Sequence, residues 1–136
     1  MDRITKAREL HQEKCNCAQA ILVAYHELMN IDELTAYKLS DALGGGFAQM
    51  KGLCGAVNAM GIVIGYINAG DLEHKGETKE FSAQEARACT ERFIAKNRSI
   101  ECLTLKAENN QERSCNDLVA DCAIIIEEYI KERGIV

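Results

Sequence analysis

The chain has 136 residues, a formal net charge of −5 and 47% apolar residues. This length predicts one domain over residues 1–136, and the apolar content argues against disorder. The acidic balance argues against a general binder of nucleic-acid backbones, because such proteins need a positive face. Proline is absent and aromatic residues make up only 5%, so the composition favours an all-α fold over strands.

Helical periodicity begins at the start of the chain. Apolar residues recur at helical spacing from Ile4 to Leu28. This stretch predicts either one long helix or two helices that break near Asn16. A shorter helix is predicted next, from about Asp32 to Leu43. The first residues are amphipathic and charged rather than apolar, so no targeting segment is expected and the predicted location is the cytoplasm.

Gly44-Gly45-Gly46 is the strongest helix breaker in the sequence. No Gly-Lys-Ser/Thr follows it and no strand is predicted before it, so a phosphate-binding loop is not expected. We expect the glycines to let the backbone turn tightly and lie close to Cys54.

The longest apolar stretch covers 53–70. Because asparagines and glycines interrupt it, we interpret it as a buried, Gly-rich central helix over about Gly52 to Ile67, not as a membrane span. Its small residues recur at four-residue spacing, which predicts close packing of a neighbouring helix. They are Gly55, Ala59, Gly61 and Gly65.

Three further helices are predicted, each opened by a serine. They begin at Ser82, Ser99 and Ser114 and end at about Asn97, Leu105 and Gly134. Ser82 with Glu85, and Ser114 with Asp117, match capping boxes, and the stretch 106–113 between the last two helices is polar. The sum predicts a compact bundle of five or six helices.

Cysteine is the outlier of the composition, with seven residues. This number is low for a secreted disulfide scaffold and high for an ordinary cytosolic domain, in which metal binding or redox chemistry is the usual reason. Four cysteines are predicted in the first turns of helices, where unpaired backbone N–H groups and the helix dipole favour a thiolate. These four are Cys17, Cys54, Cys102 and Cys115.

The other three cysteines have different settings. Cys89 and Cys122 lie mid-helix on apolar stripes, so we interpret them as core residues. Cys15 stays open, because only a break at Asn16 would let Cys15 and Cys17 point into one site. No C-x-x-C pair occurs, so any metal site must be assembled by the fold. The three histidines have no paired-ligand spacing and are expected to be surface or stripe residues.

Two motifs resemble those of the C_GCAxxG_C_C family, whose members are redox-active proteins of about this length. They are Asn16-Cys17-Ala18-Gln19-Ala20 and Cys54-Gly55-Ala56-Val57-Asn58-Ala59, separated by the glycine-rich loop and followed by Cys102 and Cys115. The resemblance covers nearly the whole chain. It matches the family's four cysteines to Cys17, Cys54, Cys102 and Cys115, with Cys122 a rival for the fourth position. A similar region in split-Soret cytochrome c implies an iron–sulfur cluster.

Three functions follow from these features. The first is electron transfer with an unidentified redox partner protein, in which Cys17, Cys54, Cys102 and Cys115 hold an iron–sulfur cluster or another metal. The second is thiol–disulfide exchange, with Cys54 as the attacking thiolate. The third is a non-catalytic structural zinc or helical interaction module, ranked lower because paired zinc ligands are missing. Neither membrane insertion nor a nucleic-acid partner is expected, and a homo-oligomer is left open.

Overall fold

The computed structural model describes residues 1–109 and 113–135. Within these ranges the chain forms seven α-helices and no strand, apart from an isolated antiparallel bridge between Leu53 and Glu101. The helices are α1 (Arg3–Gln12), α2 (Cys17–Ala24), α3 (Glu33–Leu39), α4 (Gly55–Asn68), α5 (Lys79–Asn97), α6 (Cys102–Asn109) and α7 (Cys115–Glu132). The predicted all-α class is confirmed, with seven helices in place of five or six.

Of the two predictions for the first helical stretch, the one with two helices that break near Asn16 is confirmed. Lys14 has a φ of 82°, a left-handed conformation that a continuing helix cannot contain. Asn16 then caps α2. Its side chain accepts a hydrogen bond from the Gln19 N–H, while the Gln19 side chain accepts one from the Asn16 N–H. This capping box makes Cys17 the first residue of α2.

The last helix begins where the sequence predicts. Ser114 and Asp117 form the expected capping box at the start of α7. Gly134, with a φ of 67°, follows the end of the helix. Helix α7 carries a buried carboxylate, Asp121. It forms ion pairs with Arg113 at 2.5 Å and with Lys96 at 3.2 Å.

Other predicted boundaries are wrong by a few residues. Helix α3 ends at Leu39, because the chain turns at Ser40 into the glycine-rich loop. Helix α5 begins at Lys79, so the Ser82 N–H donates to the Thr78 carbonyl inside the helix and no capping box forms at Ser82. Helix α4 begins at Gly55. Helix α6 begins at Cys102 and runs to Asn109, so the polar stretch 106–113 is helical at its start; residues 110–112 lie outside the described residues.

The core forms around α2, whose residues from Ala18 to Ala24 are all buried. Helices α1, α3, α4 and α7 contact it. Cys89 and Cys122 belong to this core with exposures of 1% and 0%, as predicted. No helix in the described part of the chain is long and apolar enough to cross a membrane.

The Gly-rich helix α4 is buried on one side only. Ile62 and Tyr66 on its other side are 39% and 46% exposed. A Cβ at Gly61 or Gly65 would meet no atom within 4 Å, so the close packing predicted for these two glycines is wrong. At Gly55 a Cβ would lie 3.1 Å from a carbonyl oxygen and 3.3 Å from a backbone nitrogen, so this glycine does allow a close approach.

Candidate functional site

Four helix N-termini border one small cavity of about 50 Å³. Its lining includes four cysteines: Cys17, Cys54, Cys102 and Cys115. Three of them are the first residues of α2, α6 and α7, and the fourth is the N-cap of α4. The prediction that these cysteines lie where helices begin is therefore confirmed, and the fold places all four around one space.

The rest of the cavity wall is mostly apolar. Leu105, Leu118 and Lys106 line it, together with Gly45 and Gly46 of the glycine-rich loop. Cys54 and Cys102 are only 5% and 8% exposed. Two of the thiols are therefore held away from bulk water, where any charge they carry interacts strongly with neighbouring dipoles.

The glycine-rich loop packs directly against the cysteine segments. A Cβ at Gly46 would lie 2.6 Å from the Cys102 Cβ and 2.6 Å from the Gly52 nitrogen, so no larger residue fits there without movement. The Cys102 N–H donates to the Gly52 carbonyl at 2.6 Å, and the Cys54 N–H donates to the Ile100 carbonyl at 2.7 Å. The glycines lie near the cysteine site as predicted, although Gly46 contacts Cys102.

A histidine that the sequence does not single out lies beside Cys17. The Nε2 atom of His11 is 3.6 Å from the Cys17 Sγ, and its Nδ1 atom is 3.2 Å from the Asn116 Nδ2. The same Nδ2 donates to the Arg8 carbonyl at 3.0 Å. Since that Asn116 atom must be the donor, His11 accepts at Nδ1 and, in its neutral form, carries its proton on Nε2. Burial lowers the pKa of His11, which favours this neutral form.

His11 therefore donates a hydrogen bond toward the sulfur of Cys17. No spacing in the sequence indicates this contact, because Asn116, which sets the tautomer, lies 105 positions away along the chain. The signal exists only in the packing of α1 against the start of α7, two helices that contact each other in the fold.

Cys17 and Cys115 form a hydrogen-bonded thiol pair. The hydrogen bond from Cys17 lowers the pKa of Cys115 to about 6, against the opposing effect of burial and with further help from the positive charge of Lys106. The same hydrogen bond raises the pKa of Cys17, and burial and the neighbouring cysteines raise it further. Cys115 is therefore the more acidic thiol of the pair.

Burial has the larger effect at Cys54. The backbone N–H groups of Val57 and Ala56 donate to its sulfur and lower the pKa, but desolvation outweighs them and the net shift is upward. The thiolate that the sequence predicts at helix N-termini is thus favoured at Cys115 and disfavoured at Cys54 and Cys17.

The remaining cysteines lie outside the cavity lining. Cys122, the rival for the fourth position, is in the core, and Cys15 is half-buried between α1 and α2. All seven cysteines are free thiols. Among residues 1–109 and 113–135, no three His, Cys, Asp or Glu side chains are arranged to hold a metal ion as they stand. The four cavity thiols share one space without converging on one point.

Comparison with known proteins gives one family match. A family model described as "Putative redox-active protein (C_GCAxxG_C_C)" matches residues 15–129. This range contains the four cavity cysteines and the glycine-rich loop, and it leaves out the whole of α1 with His11. No curated protein and no solved structure matches the chain.

Proposed function

This chain belongs to the C_GCAxxG_C_C family, described as redox-active, and we propose that it transfers electrons through an iron–sulfur cluster held by its cavity cysteines. The ligands would be Cys17, Cys54, Cys102 and Cys115. The observation that supports this best is that one cavity is bordered by four helix N-termini, each contributing a thiol. Thiolates are the usual ligands of iron–sulfur clusters, and helix N-termini offset negative charge.

The donor set and the wall of the cavity fit such a cluster. Four thiols line it together with apolar side chains and one lysine, which is the donor chemistry that such a cluster requires. Ligation would replace the Cys17–Cys115 hydrogen bond and release the thiol protons. Because the thiols do not converge on one point, loading also requires their side chains to reorient.

When bound, the cluster would supply one-electron redox chemistry. The protein would supply its surroundings. Burial of Cys54 and Cys102 keeps water from their sulfurs, and the backbone N–H groups of Val57 and Ala56 donate to Cys54. The Nε2–H of His11 faces the sulfur of Cys17. Hydrogen bonds to ligand sulfurs and nearby positive charge raise the reduction potential of a cluster, so these groups would tune it upward.

Anaerobic reconstitution with ferrous iron and sulfide tests the proposal. We expect the protein to take up iron and acid-labile sulfide in equal amounts and to develop visible absorption and a paramagnetic signal in one redox state. Each of the four cavity cysteines replaced by serine should reduce loading. Cys15→Ser is the matched control, since this thiol lies outside the cavity, and it should load like the wild type.

Two outcomes would contradict the cluster. The first is a reconstituted anaerobic sample without iron and sulfide. The second is equal loading of Cys54→Ser and the wild type. A stoichiometric zinc ion in place of iron, with unfolding on chelation, would instead support the structural role considered from the sequence.

A second candidate function is thiol–disulfide exchange, because Cys17 and Cys115 are hydrogen-bonded and Cys115 is the more acidic thiol. The Cys115 thiolate would attack an external disulfide and release one thiol. Cys17, after losing its proton, would then attack the mixed disulfide, release the second thiol and leave a Cys17–Cys115 disulfide. Burial disfavours the Cys54 thiolate, so Cys115 is a better candidate for the attacking group than Cys54.

Thiol counting after treatment with glutathione disulfide and removal of the excess tests this candidate. We expect the wild type to lose two free thiols without retaining glutathione. Cys17→Ser should stop at a stable mixed disulfide on Cys115, and Cys54→Ser should behave like the wild type. A disulfide mapped to any other pair of cysteines would overturn the assignment.

A further inference from the structure

A second and larger cavity lies directly beside the cysteine cavity. It encloses about 540 Å³, within the range of small-molecule sites. The two cavities share Gly45 and Lys106 in their linings. Asn16, which precedes the cavity cysteine Cys17 and caps α2, also lines the larger cavity. A molecule bound there would be separated from the thiols only by the shared wall.

The charged groups of this cavity favour an anion. Its lining holds two lysines, Lys51 and Lys106, and one carboxylate, Asp41. The Asp41 Oδ1 accepts a hydrogen bond from the Gln19 Nε2 at 2.8 Å, and this neutral amide leaves the carboxylate charge in place. Neither lysine has an ion-pair partner within residues 1–107 and 113–135. In a chain of net charge −5, two lysines against one carboxylate leave an excess of positive charge at this concave surface.

The loop that walls the cavity has an unusual backbone. Gly45, Ala48, Gln49 and Lys51 all line the cavity and have φ values of 64°, 51°, 59° and 62°. The left-handed conformation disfavours each non-glycine residue by about 1–2 kcal/mol. Backbone hydrogen bonds hold it, among them Ala48 N–H to the Ala42 carbonyl at 2.7 Å. Strained backbone of this kind persists where surrounding structure imposes it, and it is concentrated at ligand sites.

We propose that the larger cavity binds a small molecule that carries an oxyanion, either a carboxylate or a phosphate, beside the redox cysteines. Lys51 and Lys106 hold the anionic group, and the side-chain amide of Gln49 supplies a further donor. The strained loop fixes the positions of Lys51 and Gln49. This site goes beyond the proposed function, which requires no ligand in this cavity.

The test is a titration of the protein as purified, in reducing buffer of low ionic strength, followed by backbone amide NMR. Inorganic phosphate and citrate are the two probes, and glycerol is the uncharged control. We expect saturable shifts at the amides of residues 44–51 with one or both anions and none with glycerol. The anion that saturates at the lower concentration identifies the preferred chemistry.

Lysine variants distinguish a specific anion-binding site from general attraction of anions to positive charge on the protein. Lys51→Gln and Lys106→Gln should each weaken binding about tenfold, the loss expected for one charge-assisted hydrogen bond. Lys131→Gln removes the same charge from the end of α7, about 24 Å along the helix from Cys115, and should leave the affinity within about twofold. Unchanged amide spectra outside the loop establish that the variants are folded.

Absence of saturable shifts with both anions would overturn the proposal, as would equal weakening by Lys131→Gln and Lys51→Gln. The outcome is independent of the cluster, because the titration requires none. If anions bind while reconstitution fails, the cluster proposal falls and the oxyanion site stands. If reconstitution succeeds while no anion binds, the oxyanion site is overturned and the cluster proposal stands.

Discussion

At the scale of single residues, the cavity contains a series of hydrogen bonds in which each group donates to the next and the last acceptor is the sulfur of Cys115. Asn116 donates to His11, His11 donates toward the sulfur of Cys17, and Cys17 donates to Cys115. Cys115 and Cys54 are each subject to two opposing effects, since burial disfavours the thiolate and donors favour it. The donor outweighs burial at Cys115, and burial outweighs the donors at Cys54. At Cys17 the hydrogen bond to Cys115 and burial both disfavour the thiolate.

Alkylation by iodoacetamide as a function of pH checks this ordering in the metal-free, reduced protein. The Cys115 thiolate should predominate above about pH 6, so its alkylation rate should fall as the pH drops through that value. Cys17→Ala removes the donor and should shift the midpoint upward. Cys15→Ser leaves the pair intact and serves as the control. An unchanged midpoint in Cys17→Ala would show that Cys17 does not stabilise the thiolate.

Two glycines allow two reasons for needing glycine to be compared: a left-handed backbone, and a lack of space for a side chain. Gly46 and Gly76 have positive φ values of 74° and 82°, but only at Gly46 would a Cβ collide with neighbouring atoms. Gly46→Ala and Gly76→Ala should both lose about 1–2 kcal/mol because of the left-handed backbone. Gly46→Ala should lose about 1–3 kcal/mol more because of overpacking against Cys102. Urea unfolding measures both, and equal losses would show that the loop yields easily.

At the scale of helices, α4 has one packed side and one open side. Gly55 lies where the backbone of α4 meets the chain before the glycine-rich loop and α2, since an added Cβ would lie 3.1 Å from the Leu43 carbonyl oxygen and 3.3 Å from the Ala18 nitrogen. At Gly61 an added Cβ would meet no described atom within 4 Å beyond its own helix. Glycine therefore allows neighbouring backbone to come close at the start of α4, whereas further along α4 it only lowers the stability of the helix.

The two glycines of α4 should respond oppositely to alanine. Gly61→Ala should stabilise the protein by about 0.5–1 kcal/mol, the difference in helix propensity. Gly55→Ala should destabilise it, since the added Cβ crowds backbone atoms that cannot move independently. Thermal unfolding of both variants checks the signs. A stabilised Gly55→Ala would mean that α4 and the loop can separate slightly without loss.

The serines that the sequence marks as caps give a second matched pair. Ser114 caps α7 and sets the position of Cys115, so Ser114→Ala should lose about 1 kcal/mol. Ser82 lies inside α5, and its buried hydroxyl has no hydrogen-bond partner in the part of the chain that the structure describes. Ser82→Ala should therefore be neutral or slightly stabilising. Chemical denaturation measures both changes, and a loss at Ser82 equal to that at Ser114 would contradict the observed start of α5.

At the scale of the whole molecule, the cavity joins four helices that are far apart in sequence. The cysteines come from α2, α4, α6 and α7, so a group bound to all four would link these helices together. Such a link is formed only in the folded state, because the unfolded chain does not bring these residues together.

Cluster loading should therefore raise the thermal midpoint. A ligand at a hundredfold excess over its Kd adds about 2.7 kcal/mol of stability if it binds only the native state. Chelation under anaerobic conditions should return the midpoint to that of the unloaded protein. Cys54→Ser should show no gain on treatment with iron and sulfide, whereas Cys15→Ser should gain as the wild type does. A gain that persists in Cys54→Ser would point to binding elsewhere.

The sequence by itself determined the all-α class and the start of the last helix at Cys115, whereas near Asn16 it left one long helix or two helices open. These features are local, because Asn16 and Ser114 act on backbone groups only three residues away. The same locality explains the failure at Ser82, where the pattern of a cap is present but the helix begins a turn earlier. It also explains why Gly61 and Gly65 resemble packing positions although no helix packs on them.

Only the tertiary structure decided which cysteines share a space and which of them favours the thiolate. Cys54 and Cys115 both lie at helix N-termini, yet their pKa values shift in opposite directions. The difference comes from burial and from donors distant in sequence, and both depend on how the helices pack. His11, Asn116 and the larger cavity are hidden from the sequence for the same reason. Local patterns specify where helices begin, whereas the environment of each thiol is set by contacts between residues that can be more than 100 positions apart.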